Sequence, residues 1–210
     1  MSEADPTVFV VDDEPSVLKA LARLFRSAGL NVAVFASPRE FLDTHDPNVP
    51  GCLVLDVSMP GFDGLELQRT LGERGAGLPI IFLTGRADVP MSVSAMKRGA
   101  VDFLTKPADE YRLLEAVKAA IAKDRIGRQA RAEVAEIRRR IGTLTPREHE
   151  VFELVVAGKL NKQIAVELGA AEKTVKVHRG RVMEKMHAES LAELVHLAER
   201  VGVSSSRQQR

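Results

Sequence analysis

Val8-Phe9-Val10-Val11-Asp12-Asp13 is an apolar run closed by two adjacent carboxylates, and other segments of the chain repeat the plan. Cys52-Leu53-Val54-Leu55 ends at Asp56, Ile80-Ile81-Phe82-Leu83 ends at Thr84, and Ala100-Val101-Asp102-Phe103-Leu104 leads into Lys106-Pro107. Near-continuous apolar runs of this length suit strands covered on both faces in a parallel sheet. In such sheets ligands bind beyond the carboxyl ends of the strands. Asp12, Asp13, Asp56, Thr84 and Lys106 therefore converge on one rim. Carboxylates there can hold Mg²⁺ with few protein ligands and several waters, leaving room for phosphate oxygens. The metal and an ammonium group can neutralise a transferring phosphoryl group while Asp56 serves as the nucleophile. An acidic turn can also be simple solvation of a strand end, and Asp12-Asp13-Glu14 alone would carry no more than that. The recurrence at successive strand ends carries the chemical reading.

The surrounding pattern alternates strand and helix. Pro15 opens a helix with Val17, Leu18, Leu21, Leu24 and Phe25 on one face. Val32–Phe35 reads as a strand, and Ser37-Pro38-Arg39-Glu40 combines a hydroxyl cap, proline at the first helical position and a glutamate three residues on. Gly64 to Leu71 and Pro90 to Lys97 supply further helices. The result is an α/β domain, a flavodoxin-like (βα)5 fold with a five-stranded parallel sheet. Its last helix begins near Asp109 with Leu113, Leu114, Val117, Ala120 and Ile121, then runs on. Ala130, Val134, Ile137 and Ile141 recur at spacings that fit either a short coiled-coil seam between two chains or a charged helical spacer. Gly127 weakens this helix without breaking it.

Val10-Val11-Asp12-Asp13-Glu14, Leu55-Asp56-Val57-Ser58-Met59-Pro60-Gly61, Leu83-Thr84-Gly85 and Lys106-Pro107 together resemble a response-regulator receiver domain. The resemblance implies that Asp56 accepts a phosphoryl group from a sensor histidine kinase. It further implies that Asp13, Asp56 and the Ser58 carbonyl ligate Mg²⁺, with Asp12 acting through water. Lys106 would pair with the acyl phosphate, Thr84 would close over it, and Phe103 would be the reorienting aromatic.

A formal net charge of +1 hides an asymmetry, since Arg and Lys dominate from Arg125 onward. A basic second half suits a polyanionic partner, although solvated helix faces give the same count. The lone cysteine, Cys52, lies in an apolar strand and reads as core filler, and no intrachain disulfide is possible. No signal-peptide pattern or apolar stretch of membrane-spanning length is found, so a soluble, cytoplasmic protein without a membrane partner is expected.

Thr145-Pro146-Arg147-Glu148 is a second capping box, followed by Val151, Phe152, Leu154, Val155 and Val156. Asn161 can cap a helix bearing Ile164, Ala165 and Leu168, and a third helix begins near Glu172. Two short helices joined by a tight turn, the second rich in cations, are what a helix-turn-helix needs. Val175, Val182 and Met186 can face a core, leaving Lys176, Val177, Arg179, Arg181 and Lys185 outward. Lys173 and Thr174, near the helix start, stand within reach of base edges.

Leu144-Thr145-Pro146-Arg147-Glu148, Asn161-Lys162-Gln163-Ile164-Ala165, Leu168-Gly169 and Thr174-Val175-Lys176-Val177-His178 resemble the LuxR-type helix-turn-helix. With the receiver, they imply a transcription factor of the FixJ/NarL family, and the closing Ser190–Ala198 segment resembles the FixJ branch. The family pattern is broken at Ala170-Ala171, where a hydroxyl cap is missing, and at Gly180, a family base-contact position without a side chain. Base reading there can pass to Arg179 or Arg181.

The expected organisation is a receiver over residues 1–123, a helical linker over 124–142, a four-helix DNA-binding domain over 143–203 and a flexible tail over 204–210. Phosphorylation is expected to drive homodimerisation, with Lys97, Asp102 and Arg112 as cross-dimer charges. Double-stranded promoter DNA and RNA polymerase are the expected partners. A haloacid-dehalogenase-type phosphotransferase is the rival enzyme reading, but Ser58 stands where such enzymes carry a second acid. A constitutive DNA-binding protein with a degenerate receiver is disfavoured by the complete set Asp12, Asp13, Asp56, Thr84 and Lys106.

Overall fold

The computed structural model describes residues 5–85 and 89–203. These residues fall into two compact units that meet in sequence between Arg128 and Gln129. In the first, β1 (Thr7–Val11), β2 (Asn31–Phe35), β3 (Gly51–Leu55), β4 (Ile80–Thr84) and β5 (Asp102–Thr105) form a parallel sheet of order β2-β1-β3-β4-β5. Helices α1 (Pro15–Ser27), α2 (Pro38–Thr44), α3 (Gly64–Glu73), α4 (Val89–Lys97) and α5 (Glu110–Ile141) connect or follow the strands. This is the expected flavodoxin-like arrangement.

The apolar runs are explained by the pleat. Val8, Val10, Cys52, Val54, Ile81 and Leu83 pack on one face with α1 and α5, whereas Phe9, Val11, Leu53, Leu55, Ile80 and Phe82 pack on the other with α2 and α3. Both faces are covered, so β3 and β4 are buried throughout, whereas the edge strands leave residues exposed, Asn31 and Val34 on β2 and Thr105 on β5. Burial pushes the Cys52 thiol up to about 12, with the Asp124 charge adding, which keeps it an inert core group. At the base of β3, a Cβ on Gly51 would lie 1.8 Å from the Thr7 carbonyl oxygen, so the close approach of β1 and β3 requires glycine.

Two helix starts follow the capping chemistry of the sequence. Ser37 Oγ accepts from the Glu40 N–H at 3.2 Å, and Asp63 and Glu66 close a reciprocal capping box at the head of α3. The fifth strand starts later than its apolar run. Ala100 N–H bonds back to the Ala95 carbonyl at 3.2 Å around Gly99, which has φ of 90°, so Ala100 finishes the turn after α4.

The second unit contains α6 (Pro146–Val156), α7 (Asn161–Glu167), α8 (Glu172–Met186) and α9 (Leu191–Arg200) around Val151, Phe152, Val155, Ile164, Val175, Val182, Met186, Leu194 and Ala198. The long helix α5 is continuous through Gly127 and contributes Ile137 to this core, with Ile141 packed against it. Part of the repeat that suggested a coiled-coil seam is therefore used inside the chain. Asp124, at the start of the stretch expected as a linker, is buried in the first unit, and the division between the two units falls within that stretch, between Arg128 and Gln129. The tail expected over 204–210 lies outside the described residues.

Candidate functional site

The strand ends are brought level by the sheet register. Val11 pairs with Leu55, Leu55 with Phe82, and Thr84 with Thr105. Backbone bonds continue past them: Asp12 N–H donates to Phe35, Asp56 N–H to Val11 at 2.9 Å, and Lys106 N–H to Thr84 at 2.8 Å. These bonds fix the Cα positions from which the side chains meet. Lys106 Nζ donates to Asp12 Oδ2 at 2.6 Å and lies 3.2 Å from Asp56 Oδ1. The remaining oxygens take backbone donors, Asp12 Oδ1 from Glu14 N–H at 3.0 Å and Asp56 Oδ2 from Ser58 N–H at 2.8 Å. The Lys106–Pro107 peptide is cis.

Burial and charge compete at this rim. The side chains of Asp12 and Asp56 are 2% and 5% exposed, against 18% for Lys106. Burial pushes the Asp56 carboxyl above its ordinary range and the Asp12 charge adds to the rise, while Lys106 opposes both. Burial alone would pull the Lys106 ammonium down, but its bonds and charge contacts with Asp12 and Asp56 hold it above the usual lysine range. Thr84 is fully buried. Phe103 is half-buried with its ring 5.8 Å from that of Phe82. Asp13 and Ser58 are exposed.

A metal can be tested against this donor set. Among the described residues no three carboxylate, imidazole or thiol groups are gathered into a ready cage. Lys106 stands between the buried acids, and Asp13 is in solvent. The buried Asp12 and Asp56 carboxylates against the one Lys106 ammonium nevertheless leave negative charge that a hard divalent cation would balance, and the donors on these acids are oxygens. The donor chemistry fits Mg²⁺.

In the second unit, Val175, Val182 and Met186 turn inward as their spacing predicts, and Lys173, Thr174, Lys176, Val177 and Arg181 are exposed on α8. Three readings change. Leu160, not Asn161, occupies the N-cap of α7, where Gln163 Oε1 accepts from the Leu160 N–H at 2.8 Å. Asn161 Oδ1 instead accepts from Arg179 Nη1 at 3.0 Å, so half-buried Arg179 ties the two helices together. Lys185 is not an outward cation: its ammonium bonds the buried Glu148 carboxylate at 2.6 Å and the Thr143 carbonyl at 2.9 Å. The Lys185 hydrogen bond, followed by the Thr145 N–H, holds the Glu148 carboxyl down at about 2. The start of α8 has no side-chain cap, in keeping with Ala171.

Comparison with known proteins agrees with both halves. Residues 8–118 match the model of the response regulator receiver domain, and residues 142–198 match that of the bacterial regulatory proteins of the luxR family. Nodulation protein W of Bradyrhizobium diazoefficiens is 51% identical over 199 residues, covering 95% of this chain and 88% of that protein. The transcriptional regulatory protein FixJ of Azorhizobium caulinodans is 46% identical, covering 97% and 96%. The chain belongs to the FixJ/NarL family of two-component response regulators. Among solved structures, response regulator StyR matches with a TM-score of 0.83 at 48% identity, covering 94% of this chain and 100% of that one. Full-length FixJ from B. japonicum matches at 0.56 and 40%, covering 95% and 98%.

The response regulator is thus a phosphorylation-controlled regulator of transcription, with a receiver and a LuxR-type DNA-binding domain. Two features of its receiver escaped the sequence reading. A Cβ on Gly64 would lie 2.2 Å from the carbonyl oxygen of Asp56, so the first residue of α3 packs directly on the backbone of the candidate phosphoacceptor. Along α4, Val89, Val93 and Met96 recur at helical spacing and are 75%, 45% and 44% exposed. Lys97 and Arg112, the expected cross-dimer charges, are exposed as well, whereas Asp102 is half-buried and accepts from the N–H of Phe103 at 2.7 Å. An apolar stripe can be found only once burial is known, because α4 carries no strong amphipathic pattern of its own.

Proposed function

We propose that Asp56 is the phosphoacceptor and that the response regulator switches promoter binding through its phosphorylation. The observation that carries this reading is the meeting of Asp12, Asp56 and Lys106 within hydrogen-bond reach at the aligned strand ends. An Asp56 oxygen attacks the phosphorus of a phosphohistidine on the sensor kinase. The new O–P bond forms as the P–N bond breaks, and a proton on the other ring nitrogen of the phosphohistidine lets the ring leave as neutral imidazole. Lys106 favours the charged form of Asp56 against the burial that disfavours it, and its ammonium stays with the product charge. Bound Mg²⁺ would offset phosphoryl charge, with Asp13, Asp56 and the Ser58 carbonyl as direct ligands and Asp12 acting through water. Hydrolysis of the acyl phosphate at the same rim resets the switch, so the receiver acts catalytically only on itself.

Phosphorylation adds roughly −1.5 to −2 charge beside Asp56. Thr84 answers from the end of β4 by moving towards the new oxygens, and Phe103 turns inward into the space it vacates. The α4 face then pairs with a second copy, its exposed Val89, Val93 and Met96 supplying apolar area and Lys97, Asp102 and Arg112 the charges. The dimer presents paired α8 helices to an inverted repeat in double-stranded promoter DNA. Lys173, Thr174, Lys176 and Val177 meet base edges or phosphates, with Arg181 farther along and Arg179 acting partly through Asn161. The protein works in the cytoplasm alongside RNA polymerase, and residues 1–123 and 143–203 are its phosphoacceptor and DNA-binding parts.

The test is acyl-phosphate labelling. Acetyl phosphate with Mg²⁺ should give a base-labile label on Asp56, mapped by mass spectrometry, and Asp56→Asn should abolish it while leaving thermal unfolding cooperative. A label that persists on another acid in the variant would refute the assignment.

A further inference from the structure

Helix α5 changes its means of attachment partway along. Its apolar anchoring in the receiver ends at Ile121, and among the described residues none of its side chains joins a core again until Ile137. The intervening helix is nevertheless fastened to the receiver by polar bonds. Asp124, 2% exposed, accepts from the backbone N–H of Gly51 at 2.9 Å and from Arg128 Nε at 2.6 Å. The Arg128 guanidinium also donates to three successive carbonyls, those of Pro47 and Asn48 at 3.0 Å and that of Val49 at 2.7 Å. A planar guanidinium with several fixed N–H donors can serve a carboxylate and a cluster of carbonyls at once, whereas an ammonium cannot match that geometry.

The place of this clamp in the fold gives it a role. Gly51 opens β3, and Asp56 follows directly on its last residue, Leu55. The clamp thus holds α5 at the base of the strand whose other end carries the candidate phosphoacceptor. The compact receiver unit ends at Arg128 itself. Apolar contacts are non-directional and tolerate sliding, while these bonds fix the rotation and register of α5 on the sheet. Gly127 beside them is a poor helix former, so the segment that most needs external support receives it here.

We infer that Asp124 and Arg128 are a positioning pair that sets the receiver's grip on α5 and thereby couples phosphorylation of Asp56 to the DNA-binding unit. The inference rests on the phosphoacceptor reading above. It requires that the receiver of a clamp variant still be labelled, since neither residue touches Asp56, while output is lost.

The experiment compares the full-length chain with Arg128→Ala and Arg128→Lys. Each is treated with acetyl phosphate and Mg²⁺, and binding is measured against a DNA fragment selected by the unaltered chain from a random pool. Labelling at Asp56 should remain within about twofold of the unaltered chain, whereas the gain in DNA affinity on phosphorylation should fall by about fivefold or more. Arg128→Lys keeps a charge beside Asp124 but not the multiple carbonyl bonds, so it should lose most of the gain and serves if the alanine variant is insoluble. A merely stabilising clamp would lower the unfolding temperature and leave the ratio of the two affinities unchanged. That outcome, with full labelling, overturns the inference alone. Absence of label on Asp56 in the unaltered chain overturns the phosphoacceptor reading instead.

Discussion

The rim of the receiver and the outer face of α8 are built on opposite principles. The rim gathers residues as distant in sequence as Asp12 and Lys106 into a buried cluster whose polar atoms satisfy one another. The face of α8 displays Lys173, Thr174, Lys176, Val177 and Arg181 to solvent from a single helix. In the first, sheet register dictates geometry and leaves little freedom. In the second, the fold fixes only which residues point away from the core, and DNA must supply the rest. Errors of an ångström should therefore be ruinous at the rim and tolerable on the helix.

Substitutions can break or sharpen this contrast. The largest effect is expected from Gly64→Ala, which forces backbone to move at Asp56 itself. It should slow labelling by acetyl phosphate at least about tenfold and cost about 1–3 kcal/mol in denaturant unfolding of the receiver. Labelling at the unaltered rate would show that the rim is softer than its packing implies.

Next comes Glu148→Gln, which removes the charge partner of Lys185 in the core of the DNA-binding unit. A loss of about 1.5–3 kcal/mol is expected from chemical unfolding. The same pair predicts a pH dependence. The folded carboxyl titrates at about 2, below the ordinary value of about 4.3, so the unfolded chain takes up its proton first. The stabilisation is complete above about pH 4.3, declines as pH falls, and is gone below about 2. Melting of the Gln variant should lack this component of the acid loss.

On the exposed face, Lys176→Ala should weaken specific binding by about 1–3 kcal/mol and relax one base position if the ammonium reads a guanine edge. If it contacts phosphate, the loss should be similar for every sequence and the salt slope should fall by about one. Quantitative binding across salt concentrations separates these results, and unchanged affinity would remove α8 from the groove. The smallest effect is expected from Asn161→Ala. Releasing Arg179 should change domain stability by about 0.5–1.5 kcal/mol and alter base preference more than overall affinity.

The legibility of the two regions follows from the same physics. Strands covered on both faces must be apolar at every position, so Val8–Val11 and Ile80–Leu83 announced both the sheet and the polar residues at its rim. The serine cap at Ser37 and the capping box at Thr145 likewise depend on local spacing. Asn161 and Lys185 were misread because each meets a residue remote in sequence, Arg179 and Glu148, and helical periodicity says nothing about such meetings. The apolar stripe on α4 was hidden for a related reason. Apolar identity alone does not separate Val89, Val93 and Met96, which stand exposed, from Ala95, the fully buried residue of that helix. Gly64 gives no sign in sequence that a carbonyl lies where its side chain would be.

Helix α5 also bears on how such regulators can be recombined. The similarity to luxR-family regulators begins at residue 142, which is where a gene engineer would place a splice. Ile137 is already inside the second core, Arg140 donates to the Met186 carbonyl at 3.2 Å, and Glu133 is ion-paired with Arg200. A hybrid joined at 142 would carry a foreign residue into that core and leave Met186 and Arg200 facing mismatched neighbours. The second compact unit starts just after Arg128, so the boundary drawn by family similarity and the boundary drawn by packing lie more than three helical turns apart along the chain.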